Sequence, residues 1–429
     1  MLRVPMANAR PGMVLALPVH HPLKPGHLLL KPGAVLDSAS LDKLRQLRVT
    51  TLWIRYPALD YLARYLSPTI SAAQARLAGT LAEGFDRASA GAHASLDFAD
   101  YSIAVGSLLK ELIDRPEACV LLEELVTPEQ PLLAHSTTVC FLSLLMGLKL
   151  DAYLLVERAA AGPTRAKRVE NLGVGALLHD VGMLRISPEA RARWEATHDT
   201  RDPEWRAHVR LGYHMVRGKI APTAATVVLH HHQHFDGSGF PALRRLNGAA
   251  AAQSGHRIHI FSRIVMVADT FNRLRNPPPR PGEHRDGPLP AVIGLNGLLA
   301  MTLAGQVDPV VFQALLAVAP AYPPGSIVRL SDGRTAVVEG WSPADPCRPR
   351  VREILDLDRG ALVAPTPDTP AGDDAAEDSL GEVIDLRLRP DLWVAWTDGV
   401  DVTASNFSLR QTPLASAPAA PGQPASIPA

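Results

Sequence analysis

Four histidines crowd into the segment HHHQH at residues 230–234, which is followed by the glycine-containing turn DGSGFP. Neutral imidazole is a common ligand of divalent transition metals, so the segment indicates a metal site. Helix geometry offers two ligand pairs: His230 with His234 on one face, or the adjacent His231 and His232, about 100° apart. The turn that begins two residues after His234 shortens any helix that could carry the wider pair, but the spacing alone leaves both pairs open.

Polar residues interrupt four further stretches that otherwise have the apolar pattern of buried helices. Asp269 lies mid-helix in IVMVADTF, and a lone buried carboxylate is costly unless a positive charge such as Arg263, or a hydroxyl, pairs with it. Each histidine alone could be an ordinary core residue, and His179–Asp180 a helix-terminus pair. A shared metal centre explains all the interruptions at once, with the aspartates as shared ligands. The interrupting residues are His135, His179, Asp180, His208 and Asp269.

The order of these residues resembles that of the HD-GYP family, bacterial cyclic di-GMP phosphodiesterases within the HD metal-dependent phosphohydrolases. The family pattern is a helix-borne His, HD-x-G-K, a lone His, HH-E-x-x-D-G-x-G-Y-P and an Asp in an apolar helix. This chain has His135, HDVGM, His208, HHQHFDGSGFP and Asp269 in the same order, over roughly residues 110–319. The segments that flank this region are also similar to modules found beside the domain in the family.

The resemblance implies a centre of two divalent metal ions, iron or manganese. One ion would be held by His135, His179, Asp180 and Asp269. The other would be held by Asp180 as the bridge, His208, His231 and His232. The family pattern thereby selects His231 and His232 as the ligands. It implies that His230 and His234 lie next to the ligands without binding a metal. A three-metal variety of the family uses a Glu at the position of Pro131, which cannot bind a metal, so two ions are expected.

Three residues around the implied centre depart from the family pattern. Met183 replaces a Lys placed to contact a phosphate or the metal-bound water, and Gln233 replaces a Glu that could accept a hydrogen bond from a ligating imidazole. Phe240 keeps the ring of the family Tyr without its hydroxyl. After Asp269 the family has D-A-L-T-x-x-R-P-Y, whereas this chain has NRLRNPPPRPG. The implied substrate-binding residues are Met183, Asp236, Gly237, Gly239, Phe240, Pro241 and Arg280.

The implied activity is hydrolysis of cyclic di-GMP to linear pGpG or GMP by a hydroxide held between two ions, with Asp180 as the bridging catalytic ligand. Loss of one cationic donor lowers a rate by about 10²–10³, so Met183 fits a slow enzyme. It equally fits a metal-bound cyclic di-GMP receptor or scaffold, and hydrolysis of another nucleotide is a third alternative. Expected partners are cyclic di-GMP and diguanylate cyclase-type signalling proteins, and a homodimer is an open alternative.

Composition limits the other classes of function. Lys+Arg and Asp+Glu both number 43, so no net charge favours nucleic-acid binding. The longest apolar run, residues 137–148, falls short of the ~20 residues of a membrane span and predicts a buried helix. No signal peptide is recognised at the start, and Cys119, Cys140 and Cys347 form no pairing pattern. These features predict a cytoplasmic protein with buried thiols and no membrane insertion.

The elements that must position the site follow from the periodicity. Apolar residues recur every three or four positions between residues 68 and 319, and every second position after 321, with a hairpin signal at a Ser-Asp-Gly turn. The predicted fold is mainly α, with a central helical HD-type bundle, a small α/β N-terminal module and a small β-rich C-terminal domain. The predicted segments are the module 1–65, a helical connector 66–110, the HD-type domain 111–319, the β-rich domain 320–408 and a disordered Pro/Ala tail 409–429.

Overall fold

A computed structural model describes residues 1–21, 24–47, 49–65, 67–90, 98–115, 131–244, 250–278, 287–356 and 379–409. The α-helices are α1 (Ser38–Gln46), α2 (Pro68–Ala90), α3 (Phe98–Asp114), α4 (Pro131–Lys149), α5 (Asp151–Glu157), α6 (Pro163–Ala166), α7 (Glu170–Leu177), α8 (Pro188–Thr197), α9 (Pro203–Arg206), α10 (His208–Val216), α11 (Pro222–His230), α12 (Ile260–Arg275), α13 (Ala291–Leu303) and α14 (Pro309–Val318). The strands are β1 (Leu2–Pro5), β2 (Val19–His21), β3 (Lys24–Leu30), β4 (Thr51–Ile54), β5 (Leu243–Arg244), β6 (Ala250–Ala251), β7 (Ile327–Leu330), β8 (Thr335–Gly340), β9 (Arg350–Ile354), β10 (Leu380–Asp385), β11 (Val394–Thr397) and β12 (Val400–Asp401).

Helix α4 lies at the centre of the helical domain. By length and composition alone it could cross a membrane, but 67% of its most apolar window is buried inside the protein. It packs along α7, where a Cβ on Gly173 would lie 2.5 Å from Val105 Cγ1 and 2.9 Å from Leu144 Cδ2. Only glycine therefore allows α3, α4 and α7 to approach so closely. The predicted buried helix is present as a core helix, and it is longer than its apolar run.

Helix α12 is buried along almost its whole length, from Ile260 to Arg275. It packs against α4, α11 and α13, so a polar residue in its middle faces the interior of the bundle. Helices α2 and α3 contribute to the same hydrophobic core through side chains such as Leu81 and Leu108. The helices of the predicted connector thus share a core with the bundle, and the proposed boundary near residue 110 stays a prediction.

Apart from the short pair β5 and β6, the strands that the structure describes lie in the N-terminal and C-terminal parts of the chain. In the N-terminal part β1 pairs with β4 in antiparallel register, and Asp37 caps α1 through the Ser40 N–H. The C-terminal part is one six-stranded antiparallel sheet in the order β10-β9-β8-β7-β11-β12. The hairpin from β7 to β8 closes at the predicted Ser-Asp-Gly turn, with Gly333 at φ +91°. The fold is thus mainly helical with a small β-rich C-terminal sheet, as the periodicity predicts.

The N-terminal module docks on the C-terminal sheet. Arg3 donates to Asp398 at 3.1 Å, and the Tyr56 hydroxyl lies 2.6 Å from Ser379 Oγ. Val337 and Ile354 of the sheet belong to the hydrophobic core of the module. Cys140 and Cys347 are buried free thiols as predicted, whereas Cys119, residues 357–378 and the tail after residue 409 lie outside the described residues.

Candidate metal centre

The His179–Asp180 pair lies where α7 ends and the chain turns. α7 has its last helical residue at Leu177, and Asp180 directly precedes a 3-10 turn that contains Gly182. A Cβ on Gly182 would lie 1.9 Å from the backbone oxygen of His208 and 2.6 Å from Gly212 N. The absent side chain lets the first turn of α10 pack directly on this loop, which brings His208 next to Asp180.

The histidine-rich segment begins where α11 ends. α11 ends at His230, His231 is its C-cap, and His232 follows in a turn. The helix therefore does not continue to His234, so His230 and His234 do not share a helix face. His230 is buried, and neither ring nitrogen has a hydrogen-bond partner among the described residues. The adjacent pair His231 and His232 faces Asp180 and Asp269 instead.

The seven predicted ligands converge in two groups that meet at Asp180. One group consists of His135, His179 and Asp269, and the other of Asp180, His208, His231 and His232. Asp180 Oδ2 lies 3.6 Å from His135 Nε2 and 3.5 Å from His179 Nε2. Its Oδ1 lies 3.1 Å from His208 Nε2 and 3.4 Å from His231 Nε2. One carboxylate thus presents a separate oxygen to each group.

The spacing of the ligand atoms suits a metal ion in each group. Around an ion with bonds of about 2.1 Å, neighbouring ligand atoms lie roughly 3.0–3.4 Å apart. In the first group His135 Nε2 lies 2.9 Å from Asp269 Oδ1 and 3.1 Å from His179 Nε2. In the second group the Nε2 atoms of His208 and His231 are 3.3 Å apart. The residues present therefore fit two ions of ordinary bond length.

The ring orientation of four histidines also favours a cation. Each places its Nδ1 against an oxygen: His179 against Ala176 O (2.7 Å), His208 against Trp205 O (2.6 Å), His231 against Val228 O (3.0 Å) and His135 against Asn272 Oδ1 (2.7 Å). A neutral ring that donates from Nδ1 has only a lone pair at Nε2. The facing Nε2 atoms would then repel each other, and a cation between them removes the repulsion.

The charges of the site keep most ligands deprotonated. Burial lowers the pKa of His231 to about 4. Burial, together with the neighbouring His231 and Arg273, also lowers the pKa of His232 well below its usual value. Burial acts to raise the pKa of Asp180, but His179 and Arg273 hold that pKa well below its usual value. Burial acts to lower the pKa of His179, but Asp180 and Asp269 raise it, so the carboxylates attract a proton where they would attract a metal.

Arg273 is the functional candidate that the sequence reasoning missed. Its Nε donates to Asp269 Oδ1 at 2.6 Å and its Nη2 to Asp180 Oδ2 at 3.2 Å. The suggested partner of Asp269, Arg263, is wrong: Arg263 donates to Asp308 at 2.5 Å and also pairs with Glu157. A signal for the true partner exists in the sequence, because residues four apart lie on one helix face.

An aromatic wall closes one side of the site. Trp205 stacks on Trp194 with ring centroids 4.0 Å apart, and the edge of Trp205 meets Phe240 at 5.6 Å. Phe240 stacks on the ligand candidate His232 at 4.6 Å. Met183 is buried in the same apolar cluster, so its position beside the site is filled by a neutral thioether side chain. No spacing in the sequence connected the two tryptophans with the histidines.

The turn after the histidines is held by its own side chains. Asp236 Oδ1 accepts the Ser238 N–H at 2.8 Å, and His234 Nδ1 lies 2.9 Å from Ser238 Oγ. Gly237 has φ +87°, and a Cβ on Gly239 would lie 2.2 Å from the backbone oxygen of His232. Both glycines are therefore required by the path of the loop.

Gln233 braces this loop and does not contact a ligating imidazole. Its amide nitrogen donates to Pro241 O at 2.7 Å, and its amide oxygen accepts the Gln253 N–H at 3.1 Å. Gln233 therefore does not supply the acceptor that a Glu at this position could offer to a ligating imidazole. That function falls to Asn272, which sequence reasoning did not single out. Arg280, predicted to bind substrate, lies outside the described residues.

The chain is similar to one protein family and to several known proteins. Residues 143–287 match the HD domain family. The chain is 26% identical over 265 residues to the cyclic di-GMP phosphodiesterase PA4108 of Pseudomonas aeruginosa, covering 60% of this chain and 56% of that protein. It is 28% identical over 126 residues to the cyclic di-GMP phosphodiesterase response regulator RpfG of Xanthomonas campestris pv. campestris, covering 29% of this chain and 30% of that protein.

A solved structure is also similar to this chain. The HDG"Y"P protein Bd1817 of Bdellovibrio bacteriovorus aligns with a TM-score of 0.40 and 16% identity, over 73% of this chain and 97% of that one. Residues 143–287, which match the HD domain family, lie in the helical part of the fold. The matched residues are about a third of the chain, and they include His179, Asp180, His208, His231, His232 and Asp269.

Proposed function

We propose that this chain is a metal-dependent phosphodiesterase that hydrolyses cyclic di-GMP to linear pGpG or GMP. The observation that carries the proposal is the position of Asp180, whose two oxygens face two separate groups of ligand atoms. Two divalent ions, iron or manganese, would supply a hydroxide nucleophile and neutralise the phosphoryl oxygens. The names of the two relatives point to the same substrate, and each match spans less than two thirds of the relative's length.

The chain's own residues divide the remaining tasks. The oxygens that accept from the Nδ1 atoms fix the imidazoles, so the ligand set is oriented before a metal arrives. Phe240 offers a ring next to His232 and beneath the guanidinium of Arg206, 4.7 Å from its centroid. Because His232 and Arg206 both pack on this ring, a guanine base would stack there by displacing the exposed side chain of Arg206, and such stacking is worth about 1–3 kcal/mol. The loop 236–241 would thus bind the base while the metal ligands hold the phosphate.

A second candidate function is favoured by Met183. Its apolar side chain is only 5% exposed and supplies no charge to a phosphate. A chain with this residue can hold metals and nucleotide with little turnover, as a cyclic di-GMP receptor or signalling scaffold. In either function we place the protein in the cytoplasm, with diguanylate cyclase-type proteins and a second copy of the chain as candidate partners and without nucleic-acid binding.

One experiment separates the two functions. The full chain is purified, loaded anaerobically with iron(II) or manganese(II), assayed for bound metal, and incubated with cyclic di-GMP while pGpG and GMP are followed by chromatography. Metal-dependent appearance of either product is the expected result. Bound metal and tight nucleotide binding without product would replace the enzyme with the receptor. A protein that binds neither metal would contradict both functions.

A further inference from the structure

We propose that Arg273 is a substrate-binding residue of this site, whose guanidinium supplies a phosphate oxygen with the positive charge that Met183 cannot provide. The assignment rests on the phosphodiester substrate proposed above. Met183 occupies the lysine position of HD-x-G-K, and Arg273 occupies the alanine position of D-A-L-T, so a charge has been lost at one position and gained at another.

Two of the three guanidinium nitrogens of Arg273 are anchored by carboxylates. Nε donates to Asp269 and Nη2 donates to Asp180, and these two carboxylates belong to the two groups of predicted metal ligands. Nη1 is buried and has no hydrogen-bond partner among the described residues. A buried unpaired donor is unfavourable, and a phosphate oxygen is a partner that suits the fork of an arginine. Among the described residues, one charged donor next to the metal centre is therefore left without a partner.

The guanidinium is also held at the wall of the site that contains Met183. Its central carbon lies 4.9 Å from the ring centroid of Trp194 and 5.2 Å from that of Trp205. These two tryptophans stack on each other and belong to the apolar cluster that buries Met183. Cation–π contact with two rings fixes the charge on the side of the site that the missing lysine would have served.

A purely structural role does not account for Arg273 once the metals are bound. Two divalent ions carry four positive charges, and the ligand groups contain only two carboxylates, Asp180 and Asp269. An additional guanidinium is then not needed to neutralise the carboxylates, and the nearby ions repel it. An anionic ligand such as a phosphate removes this repulsion, so the fully loaded site favours a phosphate next to Arg273.

The test uses inorganic phosphate as the probe and the full chain loaded with manganese(II). For Arg273→Gln we expect bound metal at the wild-type level and phosphate affinity, measured by calorimetry, about 10- to 100-fold weaker, as for a lost charged hydrogen bond. The kcat for cyclic di-GMP should fall by about 10²–10³. The control Arg168→Gln removes an exposed arginine that precedes α7, whereas His179 follows the other end of that helix, and it should leave all three values unchanged.

Two outcomes would overturn the assignment. Wild-type phosphate affinity in the metal-loaded Arg273→Gln variant would show that the guanidinium does not contact phosphate. Loss of metal with unchanged affinity per loaded site would show that Arg273 only positions the carboxylates. If Arg273→Gln does not fold, Arg273→Lys replaces it in the test. The lysine keeps the positive charge, but its single nitrogen cannot reach both carboxylates and a phosphate. The same two criteria then apply to Arg273→Lys.

Placing the positive charge at position 183 instead of position 273 gives an independent test. Met183→Lys alone should raise kcat less than 10-fold, because Arg273 already provides the cation. In the Arg273→Gln background the same substitution should restore at least 10-fold of the lost phosphate affinity. A 10²-fold gain in the wild-type background would contradict the assignment. If the wild type binds phosphate but never hydrolyses cyclic di-GMP, the proposed function fails while the phosphate measurements still decide the role of Arg273.

Discussion

Replacing Asp180 by Asn should remove both metal ions, because this carboxylate faces both groups of ligands. Its Oδ2 lies 3.5 Å from His179 Nε2, and its Oδ1 lies 3.1 Å from His208 Nε2. An asparagine keeps one oxygen, loses the negative charge, and turns an amide N–H₂ toward the other group. Asp269 belongs to the group that contains His135 and His179, and its other oxygen lies 3.7 Å from His232 Nδ1, farther than either Asp180 oxygen lies from its nearest ligand nitrogen. Asp180→Asn and Asp269→Asn should therefore differ in the number of ions lost.

The size of the effect follows from the position of the atom replaced. Loss of a residue that merely orients a metal ligand weakens metal affinity about 10- to 100-fold. Loss of a direct ligand that two ions share should weaken the affinity for each ion by more than about 100-fold, which corresponds to at least about 2.7 kcal/mol per ion. After loading with manganese(II) and desalting, we expect about two ions per chain in the wild type, about one in Asp269→Asn and fewer than one in Asp180→Asn.

Metal content by inductively coupled plasma and native mass spectrometry measures these numbers directly. Asp236→Asn is the matched control, since Asp236 bonds the loop backbone at Ser238 and lies outside both ligand groups. That variant should retain two ions. Equal losses from Asp180→Asn and Asp269→Asn, or two ions retained in Asp180→Asn, would refute the shared role of Asp180.

Three further substitutions test the surroundings of the centre. Asn272→Ala removes the acceptor of the His135 Nδ1 proton and should weaken metal affinity about 10- to 100-fold, measured by competition with a chelator. Unchanged affinity would show that the His135 ring needs no orienting partner. Gly182→Ala places a Cβ 1.9 Å from the His208 backbone oxygen and should lower the free energy of unfolding by about 3 kcal/mol in urea, whereas an unchanged midpoint would contradict the close packing. The side chain of His259 caps α12 as a hydrogen-bond acceptor, and burial, Arg158 and Arg263 lower its pKa from 6.5 to about 4. The neutral ring therefore makes its full contribution to the free energy of unfolding above pH 6.5. That contribution should be lost as the pH falls toward 4, by at most about 3 kcal/mol. His259→Asn keeps an acceptor and should flatten this part of the urea midpoint–pH profile, and an unaltered slope would assign it to another group.

The residue types that bind metals could be found from the sequence because metal ligation demands them. Histidines and aspartates that interrupt apolar helices are costly unless something pairs with them, so His135, His208 and Asp269 stand out along the chain. The choice between the two histidine pairs also has a local basis, since α11 ends at His230 and only the adjacent pair turns inward. The fold class could also be predicted, from the helical periodicity and from the two-residue alternation after residue 321. Burial of one face of a helix or strand imposes these spacings on neighbouring residues.

Only the tertiary structure decided which charged and aromatic side chains surround those ligands. Arg263 and Arg273 both lie on α12 with Asp269, and the packing of α5 and α14 pairs Arg263 with Glu157 and Asp308 instead. The contact of Arg273 with Asp180 spans 93 positions, and that of His135 with Asn272 spans 137. Contacts between segments so far apart depend on how whole helices pack, and no short spacing in the sequence encodes that packing.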